Sequence, residues 1–138
     1  MTTHVAVLKR RYIDLLLEGR KTMESRLSVT RREPFGIVVP GDAIYFKESG
    51  GPYRARAVVA DVELVDGLTP RAVSALRRRV NSQVLGDPAY WQSKRTAKYA
   101  TLLTFIELEV CSRGPALPVL AGRAWVCMPD RTARRRAA

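Results

Sequence analysis

The chain reads as an α+β protein, short strands interrupted by two amphipathic helices, on three observations. Strand-like segments recur over residues 4–9, 22–27, 43–47, 53–65 and 102–110, several with the two-residue alternation of a half-buried strand. Residues 10–18 and 70–80 instead repeat their apolar positions every three or four residues, as a helix with one buried face does. The apolar parity of the longest strand switches near Ala60, which marks a bulge or sharp coil of the kind that bends a barrel strand.

Residues 4–9 form a short, mostly buried first strand. The helix over 10–18 keeps Tyr12, Ile13, Leu16 and Leu17 on one side, and Gly19 stands just beyond it, where positive φ is commonly required. In the next strand Thr22, Glu24 and Arg26 share one face, while Met23, Ser25 and Leu27 share the other and turn inward. That leaves a carboxylate beside a guanidinium, with the Lys21 ammonium at the strand's mouth, able to swing toward them. Lys21 would alternatively serve only as a cation at a helix C-terminus.

Residues 29–39 connect to the turn Pro40-Gly41-Asp42 and the strand 43–47. Glu48-Ser49-Gly50-Gly51-Pro52 is the clearest loop. Beside Lys47 and Ser49, its glycines would let backbone amides approach a phosphate or a base, or would simply close a hairpin. In the strand 53–65, Ala55, Ala57 and Val59 oppose Arg54 and Arg56 before the parity changes.

Thr69 is placed to cap a helix that begins at Pro70 and runs to about Val80, with Val73, Leu76 and Val80 inward. Arg71, Arg77, Arg78 and Arg79 carry no compensating carboxylate on that helix, a repulsion that an anionic partner would relieve. After a loop over 81–88, residues 89–101 interleave Tyr90, Trp91 and Tyr99 with Lys94, Arg95 and Lys98. Single-stranded nucleic-acid recognition uses such a mixture for stacking and phosphate contact. The other reading is that Trp91 and Tyr99 plug the end of a barrel. The strand 102–110 sets Glu107 and Glu109 opposite Arg54 and Arg56 of a neighbouring strand, and residues 123–128 supply a last short strand. One domain is expected over 1–129, followed by a basic, disordered tail over 130–138.

A net charge of +11 and a pI near 10.5 point to a polyanionic partner, although 19 of the 24 basic residues are Arg, as a GC-rich genome alone would favour. His4, Cys111 and Cys127 supply too few ligands for a zinc site, so no metal and no cofactor are expected. Both cysteines sit in apolar surroundings and read as reduced core thiols. No apolar run approaches a membrane span and no signal-peptide pattern opens the chain, so a cytoplasmic protein is expected.

The segment Gly19-x-Lys21-x-x-Glu24-x-Arg26, followed by Pro40-Gly41-Asp42-Ala43-Ile44-Tyr45-Phe46, resembles the ASCH domain family of the PUA-like superfamily. The resemblance spans roughly residues 4–110. It implies a small PUA-like β-barrel flanked by helices, with a cleft where the Gly-x-Lys-x-x-Glu-x-Arg segment meets the barrel, and it implies RNA or other nucleic-acid binding. Similar Trp-to-Tyr-Ala-Thr segments lie beside the cleft in part of the family. One branch hydrolyses an acylated cytidine with the motif lysine, a threonine three positions later and a helix glutamate. Here Glu24 stands in the threonine's place, and residues 71–81 hold no acid, so that activity is not carried over.

Two readings follow. As an RNA-binding module, Lys21, Arg26, Lys47, Lys94 and Lys98 meet phosphates, with Ser49 and Gly50 offering the loop backbone. Trp91 or Tyr99 stacks on a base, and Glu24 accepts from a base edge. As an enzyme on RNA or a small modified nucleoside, Lys21, Glu24 and Tyr99 supply the acid–base groups.

Overall fold

The computed structural model describes residues 1–118 and 122–129; the expected tail at 130–138 lies outside the described residues. Along the chain run β1 (Thr3–Leu8), α1 (Arg10–Leu17), β2 (Met23–Ser28), β3 (Ala43–Glu48), β4 (Tyr53–Asp66), α2 (Pro70–Val84), α3 (Pro88–Ser93), β5 (Tyr99–Val110) and β6 (Trp125–Met128). The strands make one sheet in the order β2-β5-β4-β3-β1-β6, with β1 and β3 parallel and every other neighbouring pair antiparallel.

The sheet curls into a half-barrel, with two bulges in the β4–β5 ladder and a third irregularity between Phe46 and Lys47 of the β3–β4 ladder. Between the pairs Val59–Phe105 and Val62–Leu103, β4 advances by one residue more than β5, at the parity switch near Ala60 that the sequence marks. Between Arg56–Glu109 and Val58–Ile106 the extra residue is on β5, where Glu107 adopts a φ of 56°. This second bulge corrects the simple alternation expected for 102–110: Leu103 and Leu108 pack on the core while Ile106 and Val110 are exposed. Arg56 does pair with Glu109 at 3.4 Å, but Arg54 reaches Asp14 on α1 instead, at 2.8 Å.

The apolar residues form two cores. Inside the curl, Ile13 and Leu16 of α1 pack on Ala6, Ile44, Phe46, Val59 and Leu103. At the β2–β5 end, Val73, Leu76, Val80 and Val84 of α2 pack on Leu27, Ala100, Leu102 and Trp91. α2 starts as its sequence requires, Thr69 Oγ1 accepting from the Ala72 amide at 3.1 Å with Pro70 in the first turn. It runs four residues beyond the expected end, to Val84, and Leu85 closes it in the left-handed conformation at φ 57°. Arg79 is compensated from outside the helix, by both carboxylate oxygens of Glu63. The second helix of this end, α3, starts at the last residue of the stretch read as loop (81–88) and otherwise falls in the aromatic and basic stretch over 89–101, to which the sequence reading assigned no element. Asp87 caps it, Oδ1 accepting from the Tyr90 amide at 2.8 Å, and Pro88 occupies the first turn.

β1 is pinned by a buried chain of side chains. Trp125 Nε1 is only a donor, so His4 Nδ1, 3.1 Å away, accepts; the His4 proton is therefore on Nε2, directed at Asp42 Oδ2 at 2.9 Å. Asp42 also accepts from the amides of Thr2 and Val39. The cysteines are free and half-buried, rather than core thiols: Cys111 follows β5, and Cys127 lies opposite His4 on β6. No helix among the described residues is long and apolar enough to cross a membrane.

Candidate nucleic-acid interface

The sheet's edge strands are β2 and β6, and no ladder of backbone hydrogen bonds joins β2 to β6 or to β1. A cleft of about 1060 Å³ opens along this seam. Its walls come from the start of α1, from β2 and the connection after it, from the end of α2, from α3, and from residues 122–125. Seven of its lining residues are Lys or Arg and three are Asp or Glu.

The Lys-x-x-Glu-x-Arg constellation forms the cleft's floor as a closed clamp. Lys21 is only 3% exposed. Its ammonium donates to the Val84 carbonyl at 2.6 Å and the Met23 carbonyl at 2.9 Å, and lies 3.4 Å from Glu24 Oε1. All three of its protons thus have partners within the protein. Lys21 is a helix C-terminal cation, but for α2 rather than α1. Burial lowers the Lys21 pKa, against the opposing pull of Glu24. Glu24 is buried as well. Burial alone would raise its carboxyl, but Lys21 and Arg26, with the hydrogen bonds from Arg26 and the Ser25 amide, outweigh that and hold it below the usual carboxylate range.

Arg26 joins the two sides of the seam. Nη2 donates to Glu24 Oε2 at 3.0 Å and to the Val7 carbonyl of β1 at 3.1 Å; Nη1 donates to the Ala124 carbonyl at 3.0 Å. Its guanidinium also lies over the Trp125 ring, 5.3 Å from the centroid. The Lys21 ammonium thus does lie against Glu24, as the sequence suggests, but as a buried and fixed group; the exposed polar face assigned to Glu24 is corrected.

The reachable groups sit above this clamp. Tyr90 and Lys94 lie four residues apart across the end of α3, the ammonium 5.8 Å from the Tyr90 ring. The Tyr90 hydroxyl is 3.1 Å from the Ser25 carbonyl and 2.7 Å from Ser25 Oγ. Since the phenol has one proton and the carbonyl can only accept, Ser25 Oγ–H donates to Tyr90 and leaves its own lone pairs to accept. Burial pushes the Tyr90 phenol up to about 12. Lys94 is lowered by burial, then by the positive charges of Arg26 and Arg32. Neither Lys94 nor Arg32 has a carboxylate partner among the described residues, whereas Arg11 pairs with Asp87 and Arg123 with Glu33.

The structure separates the other expected contacts. Lys47, Ser49 and Gly50 border a neighbouring cavity of about 350 Å³. Trp91 is 3% exposed, its Nε1 donating to Asn81 Oδ1 at 2.9 Å, so it is a core residue and not a stacking platform. Tyr99 packs edge-on against Phe35, ring centroids 5.2 Å apart, and neither it nor Lys98 lines the cleft. Sequence reasoning missed Tyr12, Ser25, Arg32, Tyr90 and Thr101 as cleft residues. The Asp87-Pro88 start signal would have revealed α3, and with it the pairing of Tyr90 with Lys94.

No protein-family model matches the sequence, and a search of curated proteins finds no match. Solved structures do resemble the chain. A tyrosine-to-phenylalanine variant of ZmASCH from Zymomonas mobilis superposes with a TM-score of 0.66 at 14% identity, over 98% of this chain and 95% of that one. A serine-to-alanine variant of the same protein also gives 0.66 at 14% identity, over 98% and 93%. The unaltered ASCH protein from Zymomonas mobilis gives 0.65 at 13%, over 98% and 92%. With its six-stranded half-barrel and three helices, this chain has the ASCH fold of the PUA-like class.

Proposed function

We propose that the chain is a nucleic-acid-binding module whose seam cleft takes single-stranded RNA. The observation that carries this reading is the cationic wall of the cleft: Lys94 and Arg32 stand near Arg26 without a carboxylate of their own, so that the wall is electrostatically incomplete. Tyr12 and Tyr90 add aromatic surface. The Gly-x-Lys-x-x-Glu-x-Arg resemblance to ASCH domains and the chain's charge of +11 point to the same class of partner.

Catalysis on RNA or a modified nucleoside is the less supported reading. Glu24 is committed to Lys21 and Arg26, the Tyr90 phenol stays protonated, and His4, the chain's single histidine, is buried against Asp42 and Trp125. Among the described residues no unpaired carboxylate or imidazole lines the cleft to act as a base.

Fluorescence anisotropy with short single-stranded RNA and the matching DNA, across a salt series, tests the proposal. Lys94→Ala and Arg32→Ala should each weaken RNA binding and reduce the log–log salt slope by about one. Lys98→Ala, outside the cleft, should do neither. Equal binding by the wild type and the two cleft variants would refute it.

A further inference from the structure

We infer that the interface is built for a strand of several nucleotides, with a second phosphate subsite formed by Lys9, Lys47 and the Ser49–Gly50 loop. This inference rests on the RNA-binding reading of the main cleft. Its first support is continuity: the smaller cavity shares Val7, Leu8, Lys9, Gly122, Arg123 and Ala124 with the cleft, so that the two form one trough. Its second is charge. Among the described residues the smaller cavity is lined by Lys9, Lys47 and Arg123 and by no acid. Of these three, Arg123 has a carboxylate partner among the described residues, Glu33 at 3.3 Å, while Lys47 Nζ reaches the Glu48 carbonyl at 3.4 Å.

The backbone holds these cations together whether or not they repel. Parallel pairing sets Val7 beside Lys47 and Leu8 beside Glu48, and the Ser49 amide donates to the Leu8 carbonyl at 2.8 Å, which ties the loop to the end of β1 just before Lys9. At Gly50, with φ 68°, a Cβ would meet nothing within 4 Å, so the loop's tip faces open space. One trough therefore carries Arg26, Arg32 and Lys94 in the main cleft and Lys47 in the smaller cavity, with Val7, Leu8 and Lys9 lining both. Successive phosphates separated by sugars and bases match that pattern; a lone nucleoside has no charge for the smaller cavity. The cleft's volume, at the upper limit of ~300–1,000 Å³ for small-ligand pockets, agrees with a longer ligand.

The test compares a fluorescein-labelled uridine dinucleotide with an octanucleotide, using wild type, Lys47→Ala and Lys94→Ala. Wild type should bind the octanucleotide more tightly. Lys47→Ala should lose about fivefold on the octanucleotide, with a salt slope lower by about one, and retain its dinucleotide affinity. Lys94→Ala should weaken both ligands. Equal affinity of the wild type for the two lengths would overturn the second subsite. So would a Lys47→Ala variant that is unchanged on the octanucleotide, or weakened equally on both ligands. Should wild type bind neither ligand, the RNA-binding reading itself fails, a result distinct from those.

Discussion

Arg26, on one edge strand of the sheet, donates to the Val7 carbonyl across the opening at 3.1 Å, so a side chain closes the half-barrel where a backbone ladder would close a full one. The same guanidinium holds Glu24, the Ala124 carbonyl and the Trp125 ring. Arg26→Lys keeps the charge but loses the planar fork that reaches three acceptors at once. It should lower unfolding stability by about 2–4 kcal/mol, read from urea midpoints, and Arg26→Ala should do no better.

Lys21→Met should also destabilise, by about 3–5 kcal/mol, because it orphans the Val84 and Met23 carbonyls and leaves Glu24 with one cation. Lys94→Ala should change stability by less than about 0.5 kcal/mol. Chemical denaturation of the two variants side by side separates the clamp from the contact surface. A Lys21 variant as stable as wild type would break this account of the clamp.

Glu24 makes stability depend on acid pH. Its folded pKa lies below the unfolded value of about 4.3, so the unfolded chain binds the proton first. The contribution is complete above that value and is lost as pH falls through the folded pKa. The gap in stability between wild type and Glu24→Gln should therefore be widest near neutrality and shrink below about pH 4. Urea midpoints measured across pH 2.5–7 provide the check.

Trp91→Phe should cost about 1–3 kcal/mol through the lost Asn81 hydrogen bond and reduced packing, while RNA affinity stays within twofold of wild type. A tenfold loss of affinity without loss of stability would restore Trp91 as a stacking residue.

Thr101 is 1% exposed, faces Arg26 across the β2–β5 ladder, and its hydroxyl has no partner among the described residues. Thr101→Val keeps the shape and removes that unmade bond, so thermal stability should be unchanged or higher by up to about 1 kcal/mol.

Much of the fold was legible because it rests on local rules. The parity switch at Ala60, the Thr69-Pro70 helix start and the turn at Gly41 each involve residues whose chemistry is nearly unambiguous. The bulge at Glu107 was not, since a glutamate gives no hint of positive φ. The site was legible in its members and not in their state. Lys21, Glu24 and Arg26 do meet, but alternation cannot reveal that the end of α2 descends on Lys21 and that β1 lies within reach of Arg26. Trp91 and Tyr90 are adjacent in sequence and differ only in which side of a two-turn helix they occupy, and finding that helix required weighing Asp87-Pro88 above the loop-like residues before it.

The side-chain seam has a consequence for how such a domain can diversify. The ladder that defines the half-barrel passes nowhere between β2 and β1, so Arg32 and Lys94, which belong to no strand, can be exchanged without disturbing any strand register. Arg26 belongs both to the architecture and to the cleft's lining. The lining of the opening is thus separable from the vessel that carries it, and the half-barrel shared at 14% identity shows how little of the sequence that vessel demands.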